Sequence, residues 1–259
     1  MFLLINMYIF KEVQNMQIDI KIMDKSVKYN GMTYPFYLTN KHVREFIKTV
    51  DYWYPRHFEF QEQNPEYERT DIPNQAFSFY LFIAMKRRIP SLSEYCQYYF
   101  KEHCQQIDNT YFMFKPKYWS GMLEHGLGVA VENKFPITAC VGRLARAYTT
   151  FLREVELYTR LQDAGCKVQY SFADDKRGID LKIFGKTYTY CVKEFVATKK
   201  SLEKLVEKES GKSEKWGQKN IYLPLYMSNI YAPANIEIIN NIYLYDAKTS
   251  EYLINIASE

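Results

Sequence analysis

Three side chains in the middle of the chain are of the types that do chemistry together: Glu154, Asp180 and Lys193. Asp180 follows Glu154 by 26 residues and precedes Lys193 by 13. Carboxylates borne on separate elements can hold one or two hard divalent ions, because Mg²⁺ and Mn²⁺ take oxygen ligands. An ion held in this way polarises a phosphate and helps to generate hydroxide. A lysine beside it positions the attacking water and offsets charge on the pentacovalent phosphorus.

The elements that must carry these groups lie between Phe151 and Ser201. From Ile137 the chain reads as one long helix, with Val141, Leu144, Ala145, Tyr148, Leu152, Val155, Tyr158 and Leu161 repeating every three or four residues. Gly165 is its natural stop. Arg153, Glu156, Arg160 and Asp163 fall opposite that stripe and are expected in solvent. Glu154 falls with Phe151, Tyr158 and Leu161 at the edge of the stripe, where a carboxylate is costly unless something neutralises it. A strand, KVQYSF, follows, then a charged loop, ADDKRG, and a hairpin, IDLKIF-GK-TYTYCVKEF. A two-residue turn at Gly185-Lys186 would set Phe184 against Thr187 and Asp180 against Cys191, with Lys193 one diagonal step away on the same face.

Helix, strand and hairpin in this order, with Glu154 on the helix, Gly178-Ile179-Asp180, and Tyr190-Cys191-Val192-Lys193, resemble the PD-(D/E)XK nuclease superfamily, which includes type II restriction endonucleases and archaeal Holliday-junction resolvases. The resemblance covers about fifty residues and rests on a short, degenerate motif. It implies an α+β or α/β fold, a restriction-endonuclease-like mixed sheet flanked by helices. It also implies a metal-dependent DNA endonuclease of restriction or phage-defence type. Glu154 and Asp180 would be ligands of Mg²⁺ or Mn²⁺, and Lys193 the catalytic lysine. Double-stranded DNA is the implied partner, and cutting both strands implies a homodimer. Cys191 departs from the pattern: the family places an acid or Gln there, and a thiol is a poor ligand for Mg²⁺. Either Glu154 and Asp180 suffice, or Asp174 or Asp175 supplies a migrated carboxylate. Otherwise the chain is an inactive nucleic-acid-binding or assembly subunit of the same fold.

The rest of the chain frames this core, expected over residues 137–259. Residues 1–136 read as a hairpin and a mostly helical region for DNA contact or dimerisation. Residues 16–37 alternate apolar and polar around Asn30-Gly31, the strongest short hairpin signal. Thr39 or Asn40 caps a helix running toward Pro55, residues 74–88 form a second, and Ser91 or Ser93 caps a third. The last two are spaced like a helix-turn-helix. Lys176, Arg177, Lys199 and Lys200 are the expected contacts to a nucleic-acid backbone. Strands are expected at 221–229, Ile236–Tyr245 and Tyr252–Ile256.

Composition narrows the classes. A net charge of +4 permits nucleic acid without demanding it. Twenty-four Tyr and 17 Phe suit a thin aromatic core or a base-stacking surface. Five cysteines without CxxC spacing point to reduced thiols and a cytoplasmic protein. His103-Cys104 has no second ligand pair nearby to make a zinc site, and Gly126 and Gly128 make no phosphate loop. The apolar start, residues 1–13, is too short to span a bilayer and lacks a cleavage site.

Overall fold

The computed structural model describes residues 20–29, 31–50, 75–99, 101, 137–175, 178–196, 217–225 and 236–258. Three short antiparallel strands open it: β1 (Ile20–Met23), β2 (Ser26–Tyr29) and β3 (Met32–Pro35). The β1–β2 turn is Asp24-Lys25, both at positive φ (50° and 57°), which gives the hairpin the twist its strands need. Gly31, at φ 73°, lies in the β2–β3 turn, where the Asn-Gly signal predicts one.

Helix α1 (Asn40–Thr49) is capped by Thr39, whose Oγ1 accepts from His42 N at 3.3 Å. It ends at Thr49, short of the expected stop before Pro55. Helix α2 (Gln75–Lys86) is buried from Ala76 through Ala84. The next helix, 92–99, opens on a reciprocal capping box in which Glu94 N donates to Ser91 Oγ at 3.2 Å and Ser91 N to Glu94 Oε2 at 2.9 Å.

The central element is α3 (Ile137–Asp163). Its end is a Schellman motif: Gly165 (φ 86°) donates to Gln162 O, and Cys166 N to Leu161 O, both at 3.0 Å. The expectation of a solvent face holds for Asp163, which is exposed and accepts from Asn40 N at 2.8 Å, but fails for Arg153 and Glu156, which are buried, and Arg160 is half-buried. The reason is tertiary: α1, α2, β4 and the C-terminal elements all pack on this helix, so its polar side meets protein.

Beyond α3 come β4 (Val168–Ser171), one helical turn α4 (Phe172–Asp175), β5 (Leu181–Phe184), β6 (Thr189–Val196) and β7 (Gln218–Leu225). A seven-stranded mixed sheet runs β3-β2-β1-β4-β5-β6-β7, antiparallel throughout except for the parallel pair β6–β7. Residues on the two sides of 136 therefore share one sheet, through the pairing of β1 with β4, and one hydrophobic core.

The chain closes with a separate hairpin, β8 (Ile236–Ile239) and β9 (Ile242–Tyr245), turning at Asn240-Asn241, both at positive φ. Asn240 Nδ2 donates to Ile47 O and Val50 O, satisfying carbonyls at the end of α1. The strand expected at Tyr252–Ile256 is instead part of helix α5 (Ala247–Ser258). Asp246 caps it, accepting from Thr249 N at 2.8 Å, and Ser250, Leu253 and Ile256 repeat every three residues on its buried face. Among the described residues, Phe79, Tyr80, Tyr95, Tyr148 and Phe151 form an internal cluster of edge, tilted and stacked contacts around α2 and α3. Among the described residues, no helix is long and apolar enough to cross a membrane.

Candidate functional site

Glu154 is 3% exposed on α3, buried as its place in the apolar stripe predicts. Tyr80 Oη, from α2, donates to its Oε2 at 3.1 Å. Burial, followed by the negative charges of Asp180, Glu194 and Asp175, pushes its proton affinity well above the ordinary carboxylate range, and Arg153 opposes this. Asp180, at the threshold of β5, is shifted up to about 7, first by burial and then by the charge of Glu194. Two influences work the other way: Glu194 N donates to Asp180 Oδ2 at 2.6 Å, and the positive charge of Arg153 acts on the same carboxylate. The fold thus brings together two of the three expected residues, from a helix and a strand that are 26 positions apart.

The hairpin places Lys193. Its register sets Phe184 against Thr189, Lys182 against Cys191 and Leu181 against Val192. Four residues, not two, make the turn, and Gly185 N donates to Tyr188 O at 2.9 Å. The expected register is therefore off by two. Because the slip is even, every side chain keeps its face. The ladder ends at Leu181–Val192, so Asp180 lies one residue beyond it rather than against Cys191; Asp180 N donates to Val192 O at 2.9 Å and its Oδ2 accepts from Glu194 N. Lys193 is half-buried, with Nζ 5.5 Å from the ring centroid of Tyr222 on β7. Cys191 is 1% exposed.

The two aspartates weighed as migrated carboxylates part company. Asp174, on α4, accepts from Lys182 Nζ of β5 at 2.8 Å and from Gln169 Nε2 of β4 at 3.1 Å. Asp175 is the one whose charge acts on Glu154 and Asp180. Lys176, Arg177, Lys199 and Lys200 lie outside the described residues, as do His103, Cys104 and His125.

Sequence reasoning missed Glu194 and Arg153. Arg153 Nε donates to Glu194 Oε2 at 2.7 Å, and both side chains are buried. Burial works against the guanidinium's charge, but Glu194 and its neighbours more than compensate, so Arg153 stays charged. Glu194 Oε1 is buried without a hydrogen-bond partner. The signal was the one that singled out Glu154, an acid in an apolar stripe: Tyr190, Val192 and Glu194 alternate on one side of β6.

The donor chemistry suits a hard cation. The groups are carboxylates, oxygen donors of the kind a hard cation takes, and one buried oxygen, Glu194 Oε1, lacks a hydrogen-bond partner. Among the described residues, no three acids, histidines or cysteines are grouped to enclose an ion. Mg²⁺ does not require such a cage, since it is held by one or two carboxylates with water and substrate phosphate completing the shell. No family model matches the chain, and no curated protein or solved structure does either.

Proposed function

We propose that the protein is a metal-dependent endonuclease that hydrolyses phosphodiester bonds in DNA on a restriction-endonuclease-like core. The observation that carries this reading is that the charge of Asp180 acts on buried Glu154, with Lys193 on the strand that pairs with β5. The order of elements supports it: a long helix, an antiparallel meander β4-β5-β6, then a strand parallel to β6.

Glu154 and Asp180 would hold Mg²⁺ or Mn²⁺, which supplies Lewis-acid polarisation of the phosphate and acidifies water. Holding two carboxylates close in a partly dry pocket raises their proton affinity, and the same repulsion favours a divalent cation over a proton near neutral pH. Lys193 brings its ammonium to the phosphate or the attacking water. Two such sites in a homodimer would cut both strands of a duplex. Asp180→Ala and Lys193→Ala, assayed on plasmid DNA with Mg²⁺ and Mn²⁺, are each expected to lose at least about a hundredfold in nicking rate. Wild-type protein that nicks nothing, or variants that cut equally well, would end the enzymatic reading.

One observation favours a second reading, a non-catalytic nucleic-acid-binding or assembly subunit. A buried thiol, Cys191, occupies the strand position where the resembled family carries an acid. That protein would bind DNA with a steep salt dependence and cut none under any divalent ion.

A further inference from the structure

We propose that the end of the sheet at the β5–β6 turn is a contact for the phosphate backbone of the DNA substrate, made by Lys167, Lys186 and Lys219. This inference rests on the nuclease reading above and gives its substrate a second surface, apart from the carboxylates.

The three lysines come from three segments that the sheet brings to one end. Lys167 precedes β4, and Phe184 N donates to its carbonyl at 2.9 Å. Lys186 lies in the turn itself, where Gly185 N donates to Tyr188 O. Lys219 is on β7, and the parallel register sets it beside Tyr190, two residues past Tyr188. Lys167 and Lys186 are exposed, and Lys219 is half-buried.

Rings aim two of the three ammonium groups. Lys219 Nζ stands 3.8 Å from the ring centroid of Tyr188, and Lys167 Nζ 5.7 Å from that of Phe184. A ring face positions a cation without cancelling its charge. Among the described residues, no acid pairs with any of the three lysines. Lys182, on the same hairpin, is by contrast neutralised by Asp174 at 2.8 Å. The turn that carries the patch is firmly seated. A Cβ at Gly185 would lie 3.0 Å from Tyr190 Cε2 and 3.2 Å from Ile256 O, so the turn sits hard against α5. Tyr188 in turn packs edge-on against the buried Tyr190, with ring centroids 6.3 Å apart.

Three cations without acidic partners, fixed on a rigid strand end, fit a repeating anion. Duplex DNA offers one charge per about 1.7 Å of its axis. The distance to the candidate site also suits one substrate. Lys193 lies four residues along β6 from Thr189, roughly 13 Å at about 3.3 Å per residue. That span corresponds to about four base pairs of duplex.

The test is binding of a fluorescent duplex of about 30 base pairs to the full chain in EDTA, by anisotropy from ~50 to ~200 mM KCl. Lys167→Ala/Lys186→Ala/Lys219→Ala is expected to bind at least about tenfold more weakly at ~100 mM, and to flatten the slope of log K against log salt by about two to three. Lys25→Ala/Lys28→Ala/Lys41→Ala removes the same charge from exposed positions elsewhere and should keep the wild-type slope. Should Lys219→Ala disturb the packing of Tyr188, Lys167→Ala/Lys186→Ala carries the test, with a slope change of about two. A wild-type slope in the sheet-end variant, or an equal change in the control, overturns the inference alone. Wild type that binds no DNA at ~50 mM KCl, including one that binds anionic vesicles or polyglutamate instead, also overturns it. If wild type binds DNA and the sheet-end variant loses it, yet neither Mg²⁺ nor Mn²⁺ supports nicking, the nuclease reading falls and the backbone contact stands.

Discussion

Two glutamates stand two residues apart on α3, both buried, and their surroundings differ in kind. Glu156 Oε1 is met by Arg44 at 3.0 Å, by Arg160 at 2.5 Å and by Asn40 Nδ2 at 3.0 Å. Arg44 also reaches Glu237 at 2.5 Å, and Arg160 Nη1 donates to Ser250 Oγ and to Tyr245 and Asp246 carbonyls. That network fastens α1, α3, the β8–β9 hairpin and α5 to one another. Glu154 instead has a tyrosine hydroxyl and the repulsion of Asp180 and Glu194, with Arg153 as the opposing charge. Burial of an acid therefore does not by itself mark function. What separates a structural carboxylate from a candidate ligand is whether the protein itself neutralises it.

The largest expected effect comes from breaking the neutralised side. Glu156→Ala leaves two guanidiniums without their buried partner and should cost about 3–5 kcal/mol in urea unfolding, with Mn²⁺ affinity kept in the protein that still folds. Glu154→Gln should cost less than about 1 kcal/mol, since it removes a negative charge that its acidic neighbours disfavour and its amide oxygen can still accept from Tyr80. The same change should abolish cation binding. Equal stability costs at the two positions would erase the distinction between them.

A smaller, pH-dependent effect sharpens it. Asp180 binds its proton more tightly in the folded chain, about 7 against 3.8 unfolded, and Glu154 shifts in the same direction. A raised carboxyl adds stability that is fully present below pH ~4 and lost as pH rises through ~7. In metal-free buffer the melting temperature should therefore fall between pH 4.5 and 7.5. Asp180→Asn should flatten that fall. Mg²⁺ should restore the melting temperature at pH 7.5 and leave it unchanged at pH 4.5. Glu94, lowered to about 2 by Arg88, acts oppositely but only at more acidic pH.

Much of the local structure was legible in the sequence. The turn at Gly31, the Thr39 cap, the Gly165 stop and the off-pattern position of Glu154 each rest on chemistry within a few residues. What depended on neighbours was less so. Arg153 and Glu156 read as solvated because an amphipathic pattern presumes one wet side, and α3 has elements packed around it. The hairpin register slipped because Gly185-Lys186 resembles a two-residue turn, while pairing resumes only at Thr189. The slip was even, so faces survived within the ladder, while Asp180 fell beyond its end. Glu194 was overlooked because attention to the spacing of Asp180 and Lys193 passed over the acid beside the lysine. The C-terminal helix was misread from its β-prone Tyr, Leu and Ile, although Asp246 and the three-residue spacing of Ser250, Leu253 and Ile256 mark it as a helix.

The central claim is that this pocket is completed by a divalent cation. A crystal of the full chain grown with Mn²⁺, measured at the manganese absorption edge, tests it most directly. The account predicts an anomalous peak coordinated by carboxylate oxygens of Glu154 and Asp180. No peak in that pocket at saturating Mn²⁺, with Arg153 still alone against the acids, would contradict it.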